Sequence, residues 1–491
     1  MKKHLSLLYG VLIIINLFSP AEAIEGFYKT LFMDGGVGLN GLKTLPAADY
    51  LNYSFEYLAT NTVTIQNGVM IQNENDENGV LLYPDGEPRF KLFFSNGGWM
   101  DEHGTSLGEE GLGRVRRFYY RGGSYTGACA GAYIVTIDSS IYYNLWPGSM
   151  IMVGLANTTV GGVIPDDSPL LHYYDFGNDL YIADIVHSRG GYASTLPPGT
   201  EVLLIHDKPG TGLHDNPSCW AYKDNDTTGR IVVMTSHPEN ESGGELRDYT
   251  AAVFQYAFDG AAPPSSKGFL ANGEKRIMNK STADNDPLYT KIGDRQYHHF
   301  MVDLTAGATN FVITLDGNDS FNLNLYVARD TFAFASLAGY ADTSAGSDKT
   351  ISIDSAAPGV WYIGVECATT VETEIVTWGY EYTGQLEVLN GVEYTIQADW
   401  NITDIAMNPH SKMGVSGLLV VQVEGNTATI RAGNLPPYSM KIFDLQGSLC
   451  WEPQTSPTTV IYRWQPESPG MYFVWMKSGK DILTKRFTVV K

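Results

Sequence analysis

The segment Gly122–Gly123–Ser124–Tyr125–Thr126–Gly127–Ala128–Cys129–Ala130–Gly131–Ala132–Tyr133 constrains this chain more than any other stretch. One cysteine stands in a run of small residues, in the pattern Gly127-x-Cys129-x-Gly131. That spacing is the thiol form of a strand–nucleophile–helix elbow. Such a turn strains the backbone of its central residue, so the neighbours must be too small to clash. The cysteine then sits at a helix N-terminus, where the dipole and free N–H groups favour a thiolate. A thiol so placed can attack a carbonyl. The competing reading is a buried, inert cysteine in a tight strand–helix junction.

A thiol nucleophile needs a base, and the base needs a group that orients it. Arg230–Ser236 reads as a buried strand, and His237–Pro238–Glu239 follows at its C-terminal end. His237 is the expected base and Glu239 its orienter. Acyl transfer also needs N–H donors aimed at the developing oxyanion. Phe93–Phe94–Ser95–Asn96–Gly97–Gly98 is a short apolar strand that runs into a glycine pair. The Gly98 N–H from this loop and the Ala130 N–H after the nucleophile are the expected oxyanion hole.

With these motifs in hand, residues from about 28 to 257 resemble the class I glutamine amidotransferase-like superfamily. The branch they most resemble is the one named after the N-terminal domain of biotin–protein ligases. The likeness rests on Gly97–Gly98, on Gly122–Tyr125 leading into Cys129–Tyr133, and on Gly229–Val233 leading into His237–Pro238–Glu239. The resemblance implies a Cys129–His237–Glu239 triad. Two departures stand out: Phe94–Ser95–Asn96 precedes the glycine pair where relatives often carry a proline, and no ligase or synthetase module follows.

The N-terminus decides the compartment. Lys2 and Lys3 precede an apolar run from Leu5 to Phe18, and Ala21–Glu22–Ala23 offers a cleavage site. Residues 1–23 therefore read as a secretory signal peptide, too short for a comfortable membrane span. No later apolar segment is long enough to span, so no transmembrane segment is expected. The formal charge of −22 argues against nucleic acid as a partner. Four cysteines, 129, 219, 367 and 450, form no C-x-x-C pair and no zinc ribbon or disulfide scaffold. The spacing leaves a Cys129–Cys219 disulfide open.

Residues 24–260 read as an α/β domain, with Lys29–Met33 as first strand, Pro46–Ala59 as first helix and Val202–Ile205 as another buried strand. Glu109–Tyr120 carries Leu112, Val115, Phe118 and Tyr119 at helical spacing. Alternating strands and helices predict a flavodoxin-like parallel sheet with helices on both faces. The site of such a sheet lies beyond its strand C-termini, where the Gly98 loop, Cys129 and His237 all fall. Gly36-x-Gly38-x-x-Gly41 follows a strand, but Leu42–Leu45 separate it from the helix and Asp34 repels phosphate. No cofactor is expected, and the loop is read as lining one side of the cleft.

Beyond a linker at 261–282, residues 283–384 show short alternating strands with Gly, Asp and Asn turns, the pattern of a β-sandwich. They resemble the bacterial pre-peptidase C-terminal domain through Asp316–Asp319, Leu323–Val327 and Gly359–Ile363. The acidic turn is read as a turn, and His298 and His299 point to opposite faces of a strand, so no metal site is expected. After a second linker at 385–414, residues 415–491 form another small β-sandwich. Asp444-x-x-Gly447, Gly470–Val474 and the basic–apolar ending Thr484–Lys491 resemble the C-terminal sorting domain of type IX secretion substrates. The resemblance implies passage through that machinery and release or surface attachment. The expected activity is a secreted or surface cysteine hydrolase acting on a small amide or peptide. The rival is a non-catalytic surface binding protein that keeps the amidotransferase-like fold as a scaffold.

Overall fold

Period-two alternation along the early strands sorts their side chains between two buried layers. In chain order the first elements are β1 (Lys29–Asp34), α1 (Pro46–Tyr50), β2 (Phe55–Leu58), β3 (Phe90–Ser95), α2 (Met100–Tyr120), β4 (Ser124–Ala128), α3 (Ala130–Tyr133), β5 (Ser149–Met152), β6 (Thr158–Val163), β7 (Tyr181–His187), β8 (Gly191–Thr195), β9 (Glu201–Asp207), β10 (Pro217–Tyr222), β11 (Ile231–Met234) and α4 (Gly244–Asp259). Leu31, Met33, Leu92 and Phe94 pack with Ala47 and Ala48 of α1 and Phe254 of α4. Phe32 and Phe93, between them in sequence, join Leu112, Val115 and Phe118 of α2 on the opposite side.

This computed structural model describes residues 27, 29–40, 45–58, 80–262, 265–280, 287–305, 307–318, 320–376 and 379–402. Beyond these it describes 419–424, 427–432, 438–444, 449–453, 461–466, 468, 470–478 and 481–489. The expected signal segment 1–23, the second linker's stretch 403–414, residues 41–44, Asp319 and Gly447 lie outside the described residues. The chain divides into two compact units between Thr403 and Asp404. No helix among the described residues is long and apolar enough to cross a membrane.

The first unit continues with β12 (Ser266–Phe269), β13 (Lys275–Met278), β14 (Tyr297–Leu304), β15 (Ala308–Gly317), β16 (Leu323–Arg329), β17 (Tyr340–Asp342), β18 (Lys349–Ile353), β19 (Gly359–Cys367), β20 (Glu372–Val376), β21 (Gly379–Thr383) and β22 (Tyr394–Ile402). Its large sheet has the order β20-β21-β2-β1-β3-β4-β11-β10-β9-β6-β7. Only the run from β2 to β11 is parallel. β10, β9, β6 and β7 extend it antiparallel on one side, and β21 and β20 on the other.

The expected flavodoxin-like parallel sheet is therefore wrong. Strand outweighs helix, 43% to 17%, and the sheet is mixed. Its cause lies in the connections: a parallel pair needs a crossover of a dozen or more residues, usually a helix. Only residues 208–216 join β9 to β10, and 223–230 join β10 to β11. The expected helix 46–59 is also cut short. It ends at Tyr50, Asn52 takes a left-handed φ of 55°, and Phe55–Leu58 pairs parallel to β1.

Residues 261–282, expected as a linker, carry β12 and β13, and β22 lies within the second expected linker. These strands complete two facing sheets, β12-β14-β19-β16-β17 and β13-β22-β15-β18. The sandwich is joined to the large sheet by one continuous buried cluster, from Phe32 and Phe93 to Phe300, Val365 and Ile396. Charged groups are buried along the same seam. Arg89 meets Asp294 at 2.6 Å, and Asp85 accepts from Lys267 and Gln296 at 2.6 Å each.

The second unit holds β23 (Leu419–Glu424), β24 (Thr427–Ala432), β25 (Tyr438–Asp444), β26 (Leu449–Trp451), β27 (Ile461–Trp464), β28 (Gly470–Ser478) and β29 (Asp481–Val489). Two sheets, β23-β24-β27 and β26-β25-β28-β29, enclose Ile430, Ile442 and Val474.

Candidate active site

β4 and β11 are parallel neighbours, and their C-terminal ends deliver Cys129 and His237 to one place. The Cys129 N–H donates to Met234 O at 2.9 Å, which fixes the turn to the adjacent strand. Cys129 has φ 49° and ψ −104°, a conformation non-glycine residues rarely adopt. A Cβ on Gly127 would lie 2.7 Å from the Gly131 carbonyl carbon, and one on Gly131 would strike Ser95 O. Both glycines are therefore dictated by sterics. Helix α3 has only four residues, Ala130–Tyr133. Its dipole is correspondingly weak, and the electrostatic partner of the sulfur is a side chain rather than the helix.

That side chain is His237. Its Nδ1–H donates to Glu239 Oε1 at 2.9 Å, and the ring also hydrogen-bonds the Cys129 sulfur. Burial opposes the imidazolium, but hydrogen bonds to Cys129 and Glu239 and the charges of both groups outweigh it. The His237 pKa is pushed up to about 10. Glu239 is almost fully buried, whereas the His237 side chain keeps 13% exposure and Cys129 keeps 8%. The Cys129 thiol also points to Ser188 O at 3.7 Å. Cys129 and Cys219 are both free thiols, so the disulfide left open by the spacing does not form.

Gly98 and Ala130, the two expected oxyanion donors, line the same cavity as Cys129. Neither the Gly98 nor the Ala130 N–H donates to another acceptor among the described residues. Gly98 has φ 149°, and a Cβ there would lie 2.7 Å from Leu39 Cα. It is held by the Gly36–Asn40 loop: Asn40 N donates to Gly97 O and Trp99 N to Gly38 O, each at 2.7 Å. Asn96, just before the glycine pair, donates from Nδ2 to Asn40 O at 2.8 Å. The glycine-rich loop thus braces the Gly98 turn, and Asn40 borders the cleft.

Cys129, Ala130, Gly98 and His237 line a cavity of about 230 Å³. Trp99, Met100, Tyr133, Met152, Ser188 and Arg189 complete the wall, and of these only Tyr133 stood in a segment the sequence singled out. The others come from loops and from the ends of α2 and β5, whose spatial neighbours no local pattern reveals. Behind the site, His187 Nδ1 lies 2.9 Å from Ser236 Oγ, and His206 Nε2 lies 3.0 Å from Thr235 Oγ1. Burial, then the charges of His206 and His237, lower His187 to about 4, and burial lowers His206 to about 4. Burial thus holds His187 and His206 away from the charged form, whereas the neighbours of His237 favour it. No cluster of metal-ligating side chains is present among the described residues.

Comparison with known proteins places one segment in a family. The family model of the bacterial pre-peptidase C-terminal domain matches residues 296–366, inside the sandwich. Among solved structures, the chain is similar to a ThuA-like protein from Bacteroides uniformis, at 11% identity and a TM-score of 0.30. That likeness covers 49% of this chain and 95% of the other. It is also similar to the pre-peptidase C-terminal domain of collagenase from Bacillus anthracis, at 13% identity and a TM-score of 0.18. There the coverage is 28% of this chain and 97% of the other. At these scores neither structure assigns a fold or a chemistry to this chain. No curated protein matches the sequence.

Proposed function

We propose that this protein is a cysteine hydrolase that cleaves an amide or peptide bond at Cys129. The observation that carries the reading is that His237, hydrogen-bonded to the Glu239 carboxylate, shares one cavity wall with Cys129. The thiolate is the nucleophile of such chemistry, and an imidazolium is its natural counter-ion. The Cys129 sulfur attacks the substrate carbonyl carbon, and the Gly98 and Ala130 N–H groups receive the oxyanion. The C–N bond then breaks, and His237 gives its proton to the leaving amine. Water, deprotonated by His237, attacks the resulting thioester, and the acid product leaves as the thiol is regenerated. Glu239 holds the ring and its charge throughout.

The likeness of the Gly127–Gly131 and His237–Glu239 motifs to the class I glutamine amidotransferase-like superfamily supports the same reading. Pre-peptidase C-terminal domains are typical of secreted proteins, which supports an extracellular or surface site of action. We read residues 1–23 as the export signal and 415–491 as the type IX sorting domain. The test of the activity is turnover of a panel of small amides and short peptides by wild type and Cys129→Ala. Loss of product release in Cys129→Ala supports the hydrolase. Equal turnover removes it, and a panel bound but never cleaved favours a binding protein.

A further inference from the structure

Resting on the reading of Cys129 as nucleophile, we propose that the cavity accepts an amide or peptide carrying a carboxylate beside the scissile bond, and that Arg189 binds it. Arg189 follows Ser188, whose carbonyl oxygen accepts from the Cys129 thiol, so it is adjacent in sequence to a group that touches the sulfur. Its φ is 57°, a left-handed conformation costly for an arginine. The backbone on each side is clamped: Arg189 N donates to Leu155 O at 2.7 Å, and Gly190 O accepts from Val153 at 3.2 Å. A Cβ on Gly190 would strike Thr235 O. The strained residue is thus pinned in place at the cavity wall.

The guanidinium lies 5.9 Å from the Trp99 ring centroid, and Trp99, 62% exposed, borders the same cavity. An arginine resting on an aromatic face keeps its edge N–H donors free for a planar, bidentate anion. Other arginines of this acidic chain meet carboxylates, as Arg89 meets Asp294 and Arg247 meets Asp248. Arg189 has no carboxylate partner among the described residues, and no carboxylate lines the cavity. Glu239 holds His237 from outside the lining, and Arg189 is the other basic side chain on the wall. With no carboxylate on the wall to meet it, the Arg189 guanidinium calls for an anionic group on the substrate.

The test compares two alkylating probes that differ in charge, iodoacetate and iodoacetamide, on the full chain, with Cys129 modification read by peptide mass. The variants are Arg189→Asn, which suits a left-handed backbone, and Arg189→Lys, which keeps the charge. The expected result is that Arg189→Asn slows iodoacetate about fivefold, the effect of roughly one charge contact in water, and leaves iodoacetamide within about twofold. Arg189→Lys retains most of the iodoacetate rate, and added salt shrinks the difference. An iodoacetate-to-iodoacetamide ratio unchanged in Arg189→Asn overturns the proposal while leaving the nucleophile intact. A Cys129 silent to both probes in wild type removes the nucleophile and, with it, the proposal.

Discussion

Arg89 and Asp294 stand 205 positions apart in the chain, yet their side chains meet at 2.6 Å with both almost wholly buried. The pair stitches the large sheet to the sandwich at the same seam as Asp85 and Lys267, 2.6 Å apart. Its geometry makes the first unit a single cooperative body rather than two domains on a linker.

A fragment ending at residue 260 should therefore fail to fold natively. It would lose the partners of Arg89 and Asp85 and expose the apolar surface that faces Phe300 and Ile396. Arg89→Met alone should destabilise the first unit by about 3–5 kcal/mol, the usual cost of leaving one buried charge unpaired. Chemical denaturation of the full chain measures it. A soluble, cooperatively unfolding 24–260 fragment would refute the joint core.

At the proposed site, His237→Ala should lower turnover by about 10²–10⁴-fold, the range for loss of a positioned acid–base group. It should also slow Cys129 alkylation near pH 7, because the imidazolium beside the sulfur is gone. Glu239→Gln should do less, since it orients the ring and takes no proton. Equal alkylation rates in wild type and His237→Ala, at matched folding, would sink the triad.

Gly131→Ala should disable the elbow without touching a polar side chain. The added methyl strikes Ser95 O, a backbone atom that cannot rotate away. Overpacking of this kind costs about 1–3 kcal/mol. The melting temperature should fall and Cys129 labelling should slow, whereas Gly113→Ala, where a Cβ meets open space, should leave both unchanged.

Stability should decline as pH falls from about 6.5 toward 4. Burial lowers His187, His206 and His299 to about 4, and burial with the Lys267 charge lowers His298 to about 3. Across that window the unfolded chain binds protons at these four positions that the folded chain does not, so acid favours unfolding. Glu87 acts in the opposite sense: burial and the Asp85 charge push it up to about 7, and its folded form gains from protonation. Asp294, which burial also raises, adds to Glu87, but four lowered histidines outnumber these two carboxyls and leave the net sign with unfolding. Urea midpoints between pH 7.5 and 4.5 read it, and a midpoint that rises on acidification would contradict the assignment.

Much of the site was legible because its demands are local. Gly127-x-Cys129-x-Gly131 records a steric requirement within five residues, and His237-Pro238-Glu239 records a ring and its carboxylate two residues apart. The apolar runs in Lys29–Met33 and in Phe93–Phe94 likewise announced strands of a sheet covered on both faces. The helix expected over 46–59 failed because Phe55–Leu58 gains a parallel partner in β1, and pairing with a distant strand overrides local periodicity.

The chain by itself determined which residues can form an elbow, which can serve as base and orienter, and where strands alternate, since each follows from neighbours a few positions away. Tertiary structure alone decided that the sheet is mixed, that Ser266–Phe269 and Lys275–Met278 are strands of a shared core, and that Trp99 and Arg189 share a cavity wall with Cys129. Strand direction follows from which edges find hydrogen-bond partners, and a cavity wall from which loops meet. Both are contacts between segments far apart in sequence, which no local spacing encodes.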